Sequence, residues 1–136
     1  MANLNPYLSF RDNARQAMEF YQGVLGGDLD ISTFAQFPDM TQDASERDLV
    51  MHAQLTTPEG LVLMASDTPS SMPYESPRGF SVSLSGTSTE QTRAVWEKLS
   101  DGATVTMPLN VAPWGGLFGM LVDRFGVNWM LNGDPG

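Results

Sequence analysis

Two stretches of this 136-residue chain are built alike: NPYLSFRDNARQAMEFYQGVLGG, residues 5–27, and GFSVSLSGTSTEQTRAVWEKLSDG, residues 79–102. Each starts with alternating apolar and polar residues, continues with apolar residues at helical spacing and ends at glycine, which is typical of a strand, a helix and a helix stop. A displacement of 75 positions places Tyr21 on Trp96 and Gly27 on Gly102. The apolar positions of the two predicted helices are Ala14, Ala17, Met18, Tyr21, Val24 and Leu25, and then Val95, Trp96 and Leu99.

The ends of both helices carry capping signals. Asp12 or Asn13 can cap the first helix, and Thr87 with Glu90 three residues later has the spacing of a capping box for the second. The glycines at 26, 27 and 102 are suited to the left-handed conformation that ends a helix.

A second pair of similar segments follows, at a displacement of 66 positions. MHAQLTTPEGLVLM, residues 51–64, matches LFGMLVDRFGVNWM, residues 117–130, and each is predicted to form two strands joined by a turn at glycine. Each half is therefore a βαβββ module, and the fold class is α+β. Two paired modules predict a curved, cup-shaped mixed sheet with helices on its convex face.

The chain is predicted to be one domain, residues 1–136, with a first module at about 1–67 and a second at about 79–136. The segment between them, residues 67–78, is rich in Pro and Ser and is predicted to be a linker. The polar, acidic stretch FPDMTQDASERD, residues 37–48, is predicted to be an exposed loop.

Alternation along the strands assigns side chains to the two faces of the sheet. The predicted helix-facing residues are Leu8 and Phe10, then Met51, Ala53 and Leu55, then Phe80, Val82 and Leu84, and finally Leu117, Leu121, Val127 and Trp129. Val50 is predicted on the cup face beside His52. The residues predicted to bind a ligand are Tyr7, His52, Gln54, Ser81, Trp114, Phe118, Met120 and Met130. A cup that is mostly apolar, with a few polar groups, is typical of a small-molecule site.

Composition excludes several classes of partner. The net charge of −9 argues against nucleic acid and anionic membranes, which require clustered Lys and Arg. The absence of Cys excludes disulfides and thiolate zinc sites. No run of roughly 20 apolar residues and no signal peptide are found, so a cytoplasmic location is predicted.

Seven features in a specific order carry a family resemblance: PYLSF, AMEFYQGVLGG, VMHAQL, LVLMASD, VTMPL, PWGGLFGMLVDRFGVNWM and the following Asn132. With these segments the chain resembles the vicinal oxygen chelate superfamily, which includes glyoxalase I, extradiol dioxygenases and bleomycin resistance proteins, and within it the PhnB-like branch. This resemblance implies a glyoxalase/bleomycin resistance-like fold of eight strands and a homodimer.

The resemblance also implies three positions for divalent-metal ligands: a His on the first strand, a His or Gln on the fifth and a Glu on the last. These fall near Asn5 or Pro6, near Ser81 and on Met130. None is a carboxylate or imidazole, so no metal is predicted. No cofactor is predicted either, because GGLFGM lies between a loop and a strand and does not lead into a helix, as a dinucleotide-binding motif does.

Three functions remain open. The chain is a metal-independent enzyme that transforms a small metabolite, a dimeric binding protein that sequesters one, or a metal-dependent lyase or dioxygenase of the same superfamily. His52, the only histidine, is the candidate catalytic acid or base. Trp114, on a loop beside two glycines, is either a lid over the ligand or part of a dimer interface. Asp123 is predicted to stabilise a turn.

Overall fold

The computed structural model describes residues 4–36, 44–70, 72–75 and 78–134. The chain divides into two compact units, residues 1–76 and 77–136. The first module contains β1 (Tyr7–Phe10), α1 (Ala14–Leu25), β2 (Asp28–Thr33), β3 (Val50–Thr56) and β4 (Val62–Asp67). The second contains β5 (Val82–Thr87), α2 (Thr89–Leu99), β6 (Thr104–Val111), β7 (Leu117–Val122) and β8 (Asn128–Gly133).

Each module forms one four-stranded mixed sheet. The strand orders are β1-β4-β3-β2 and β5-β8-β7-β6. The first strand of each module pairs in parallel with the last, and the other neighbours are antiparallel. The predicted α+β class and the paired βαβββ order are confirmed.

The core of the first module lies between α1 and one face of its sheet. The buried residues of α1 are Ala14, Ala17, Met18, Tyr21 and Val24. The sheet contributes the buried Leu8, Phe10, Ala53 and Leu55, as alternation predicts. Full burial of a side chain such as Leu8 or Phe10 contributes about 1.5–3 kcal/mol each.

The orientation predicted for Val50 and Met51 is wrong. Val50 is only 1% exposed, whereas Met51 is half-buried. The pairing of β2 with β3 runs from Ser32 with His52 to Thr33 with Val50, so Met51 is an extra residue in β3. Such a bulge reverses the alternation beyond it and turns Val50 toward the core.

The start of each helix differs from the prediction. Asn13 is at the cap position of α1 but makes no side-chain capping bond. Instead the carboxylate of Asp67 at the end of β4 accepts the N–H of Ala14 at 2.9 Å. The capping box of α2 is formed by Ser88 and Gln91, one residue after the predicted Thr87 and Glu90. Thr87 ends β5, where its hydroxyl contacts that of Thr92.

Phe80 lies outside the fifth strand, and its prediction as a core residue is wrong. β5 begins at Val82, which pairs with Trp129. Phe80 therefore precedes the ladder and is 49% exposed, while Val82 is buried and Leu84 half-buried.

In the second module the remaining strand assignments are confirmed, whereas Val95 and Trp96 of α2 are only half-buried. Leu117, Leu121, Val127 and Trp129 are all buried. Asp123, also buried, accepts the backbone N–H groups of Phe125 and Val127 and the indole N–H of Trp129 at 2.8–3.0 Å. The predicted turn role of Asp123 is confirmed, and this carboxylate also fixes the largest core side chain.

The predicted acidic loop is described in part, since residues 37–43 lie outside the described residues. A short 3-10 turn at Ala44–Glu46 follows. The carboxylate of Glu46 accepts the backbone N–H and the hydroxyl of Ser70 at 2.8 and 3.0 Å. Arg47 and Asp48 are exposed, as predicted for this loop.

Among the described strands, β6 is the edge of the second sheet and pairs only with β7. Seven of its eight residues are exposed, and its register with β7 shifts twice, around Met107. Pro108 lies in the second shift and has no N–H to donate. No helix among the described residues is long and apolar enough to span a membrane.

Candidate functional site

In the first module, the sheet face opposite α1 carries the Tyr7–His52 pair. The hydroxyl of Tyr7 and Nδ1 of His52 are 3.2 Å apart, and their ring centroids are 5.8 Å apart. Tyr7 is 50% exposed and His52 is half-buried. The direction of the hydrogen bond depends on the tautomer: either the phenol donates to Nδ1, or Nδ1–H donates to the phenol oxygen.

The strand register sets the neighbours of this pair. Tyr7 pairs with Met64, Met64 with Gln54, and Gln54 with Asp30, so these four residues form one row across the sheet. His52 lies two positions from Gln54 in β3 and therefore on the same face. The amide of Gln54 donates to the hydroxyl of Thr56 at 3.3 Å. The structure thus brings together the predicted Tyr7, His52 and Gln54.

In the second module, the sheet face opposite α2 includes the following two rows of paired residues. Both rows cross the strands in the order β5, β8, β7 and β6. The first row consists of Ser83, Met130, Met120 and Met107, and the second consists of Ser85, Asn132, Phe118 and Asn110. We call these eight residues the methionine face. All are uncharged, and their side chains are half-buried or exposed. The predicted Phe118, Met120 and Met130 belong to it.

Trp114 stands over one end of the methionine face. Its ring meets that of Phe118 edge to face, with centroids 5.6 Å apart, and Trp114 is 66% exposed. The loop that carries it is closed by hydrogen bonds between Ala112 and Gly116 and between Gly115 and Ala112. Gly115 has φ of +104°, a conformation that glycine adopts without strain.

Ser81, which was also predicted to bind a ligand, lies outside these rows. It precedes β5 and is exposed, and the serine in register with Met130 is Ser83. Met107 and Asn110 are members of the methionine face that sequence reasoning missed. Alternation along this segment does not predict their orientation, because the register of β6 with β7 shifts on both sides of Met107.

The three positions implied for divalent-metal ligands do not fit such an ion. Asn5 is a half-buried amide before β1, Ser81 is an exposed hydroxyl and Met130 is a thioether. Within residues 4–36, 44–70, 72–75 and 78–134, no three His, Cys, Asp or Glu side chains cluster as metal ligands would. The glycines of GGLFGM lead into β7 rather than into a helix, so they do not form a dinucleotide-binding turn.

A separate small pocket of about 190 Å³ lies at the start of α2. Its lining includes Arg93 and Asp134, which are opposite charges, and the apolar Val111 and Leu117. None of the residues predicted from the sequence to bind a ligand lines it.

Comparison with known proteins places this geometry among relatives. A family model described as 3-demethylubiquinone-9 3-methyltransferase matches residues 2–132. Protein YjdN from Escherichia coli (strain K12) is 29% identical, with 95% of this chain and 93% of that protein covered.

Solved structures agree with the described fold. Protein PA1353 from Pseudomonas aeruginosa is 38% identical, with 98% of each chain covered and a TM-score of 0.85. The PhnB protein from Bacillus cereus is 24% identical, with 98% of this chain and 100% of that chain covered and a TM-score of 0.73. A glyoxylase/bleomycin resistance protein/dioxygenase domain from Frankia sp. EAN1pec, at 17% identity, covers 100% of this chain and 95% of its own with a TM-score of 0.66. The resemblance to the PhnB-like branch of the glyoxalase/bleomycin resistance fold is confirmed.

Proposed function

This chain belongs to the family described as 3-demethylubiquinone-9 3-methyltransferase, and from that premise we propose that it binds a small organic molecule on the methionine face. The observation that carries the proposal is the edge-to-face contact of Trp114 with Phe118 beside a row of methionines. A largely exposed tryptophan held over an uncharged sheet face offers a stacking surface for a flat organic molecule.

The chemistry of the face indicates the class of ligand. Thioethers adapt to different shapes and make favourable contacts with aromatic rings. Asn110 and Asn132 flank Phe118 in the same row, and their amides both donate and accept hydrogen bonds. The face therefore suits a neutral or weakly cationic aromatic ring with polar substituents. A flat, conjugated quinone ring, such as the one named in the family description, has a similar shape but is not aromatic. The net charge of −9 disfavours anionic ligands.

Replacing Trp114 with alanine is expected to weaken binding of an aromatic ligand about tenfold, since a lost stacking contact costs about 1–1.5 kcal/mol. Isothermal titration against a panel of neutral aromatic fragments, and separately against a short-chain demethylubiquinone analogue, measures the change. Phe80→Ala is the matched control, because Phe80 is an aromatic of the same module that is 49% exposed and outside the strands. Equal losses for the two variants, or no loss for Trp114→Ala, would contradict the proposal.

A second candidate function is catalysis by the Tyr7–His52 pair. The 3.2 Å contact joins the phenol of Tyr7 to Nδ1 of His52. When Nε2 takes a proton, the hydrogen bond between Nδ1–H and the phenol oxygen stabilises the charged imidazolium. This arrangement can remove or return a proton on a bound metabolite without a metal ion.

For that function, His52→Asn is expected to lower kcat by about 10²–10⁴-fold while ligand binding is retained. Tyr7→Phe, which removes only the hydroxyl, is expected to lower kcat by a smaller factor, because the imidazole remains. Turnover is measured on the ligands that the titrations identify. If no bound ligand is turned over by the unsubstituted protein, or if His52→Asn leaves kcat unchanged, the catalytic role is excluded and the binding function stands alone.

Homodimerisation and a cytoplasmic location complete the proposal, and both rest on the family resemblance and composition. Exposed apolar side chains such as Leu61 and Val111, at 49% and 70%, are consistent with a covered surface. Sedimentation velocity at micromolar concentration tests the dimer, which a purely monomeric boundary would exclude.

A further inference from the structure

Three methionines stand side by side on the methionine face. Met130 pairs with Met120, and Met120 pairs with Met107, across β8, β7 and β6. Directly paired residues of antiparallel strands present their side chains on one face, with Cβ atoms about 4.5–5.5 Å apart. Met120 and Met130 are half-buried and Met107 is 47% exposed, so this methionine row can be reached from solvent.

The row offers a ligand set of a single kind. Thioether sulfur is a soft, neutral donor that favours soft ions such as Cu(I), whereas hard and borderline divalent ions prefer carboxylate or imidazole. Each methionine has three rotatable side-chain bonds, so neighbouring sulfurs can converge without movement of the strands. The polar neighbours in the adjoining positions, Ser83 and Asn110, add no charge.

We propose that the methionine row binds one soft monovalent metal ion of the Cu(I) class through the sulfurs of Met107, Met120 and Met130. Three neutral ligands leave the ion with its positive charge, and the net charge of −9 of the chain favours its approach. The strand register brings the three thioethers together, and the exposure of the row gives an ion access to them. The row belongs to the methionine face, so this ion and the proposed organic molecule share its methionines, but the metal site does not require that an organic ligand binds.

Silver(I) is the probe for the site, because it has the coordination preferences of Cu(I) without its redox chemistry. The protein is produced with ¹³C-methyl methionine, and the methyl signals are followed by NMR as one equivalent of Ag(I) is added. The signals of Met107, Met120 and Met130 are expected to shift together and to saturate at one ion per chain. Met18, which is fully buried, and Met72, which is 57% exposed and outside the row, are expected to stay in place.

Variants assign the affinity to the row. Met120→Leu removes the central sulfur and is expected to weaken Cu(I) binding by at least about tenfold, measured under anaerobic reducing conditions by competition with bicinchoninate. Met107→Leu repeats the same Cu(I) competition measurement at a residue of the exposed edge strand, where a substitution disturbs folding least. Met72→Leu is the accessibility-matched control, and His52→Asn is the control for the only imidazole; both are expected to bind as the unsubstituted protein does.

Two results would overturn the site: Ag(I) shifts the Met72 signal as much as those of the row, or both row variants keep full Cu(I) affinity. Trp114→Ala separates this proposal from the proposed function, since it is expected to weaken organic-ligand binding and to leave Ag(I) binding unchanged. A shift of the methionine signals that is retained in Trp114→Ala therefore supports the metal site even if no organic ligand is found.

Discussion

Gly27→Ala is expected to destabilise the chain by about 3–5 kcal/mol, the combined cost of a strained backbone and an overpacked contact. Gly27 has φ of +105°, and an added Cβ would lie 2.1 Å from the carbonyl oxygen of Thr56 and 2.8 Å from Cα of Thr57. Both are backbone atoms in or beside β3, so no side chain can rotate away to relieve the contact. The substitution must separate the start of β2 from the end of β3, with which Asp28 pairs.

Gly23→Ala is the matched control for this prediction. Gly23 lies four residues earlier, is exposed within α1 and has no atom within 4 Å of an added Cβ. Alanine at this position is expected to stabilise the chain by about 0.5–1 kcal/mol, the helix propensity difference. Urea denaturation of both variants measures the free energy of unfolding. If the free energy of unfolding changes by the same sign and size in both variants, the close contact between Gly27 and the backbone of Thr56 does not determine the effect.

Asp67→Ala is expected to lower the free energy of unfolding by about 3–5 kcal/mol, since two buried N–H donors lose a charged acceptor. One carboxylate oxygen of Asp67 accepts the N–H of Ala14 and the other that of Val50, each at 2.9 Å, and the side chain is 4% exposed. A single carboxylate thus joins the start of α1 and the start of β3 to the end of β4.

Two further variants define the origin of that loss. Asp67→Asn keeps one acceptor oxygen, so it is expected to lower the free energy of unfolding by about half as much as Asp67→Ala does. Asp48→Ala removes an exposed carboxylate and is expected to change stability by less than about 0.5 kcal/mol. In native-state hydrogen exchange, the amides of Ala14 and Val50 are expected to lose protection first in Asp67→Ala. Unchanged exchange at these two amides would contradict the assigned role.

The parts of the fold that could be predicted from the sequence are those governed by local periodicity. The burial of Ala17, Met18 and Tyr21 follows from helical spacing, and that of Leu8 and Phe10 from strand alternation. The parts that could not be predicted depend on contacts between distant residues. Asp67 caps a helix that begins 53 positions earlier in the chain, and no local pattern marks it for that role.

Register irregularities account for the errors in side-chain orientation. One inserted residue at Met51 turns Val50 to the core, and two shifts in β6 conceal the pairing of Met107 with Met120. For the candidate site, alternation placed Tyr7 and His52 on one face of the sheet. Their hydrogen bond depends on the conformations of both rings, which the sequence does not specify.

The two modules start their helices by different means. Asp67 pairs with Phe10 at the end of the first sheet, and the corresponding position in the second sheet, 66 residues later, is Gly133. A Cβ at Gly133 would lie 2.4 Å from the hydroxyl of Thr92, so α2 packs where a side chain stands in the first module. α2 accordingly depends on its own Ser88–Gln91 box, whereas α1 depends on a carboxylate from its sheet. Sequence similarity between the halves therefore extends to their architecture but not to the groups that stabilise it.

The two register shifts in β6 also affect how readily the chain aggregates at high concentration. An outer strand with a regular row of free N–H and C=O groups is a template on which a strand of another molecule can grow, and such growth leads to fibrils. In β6 the row is interrupted around Met107, and Pro108 removes one donor. The strand can therefore keep apolar side chains in contact with water while offering an intruding strand few successive amides to engage.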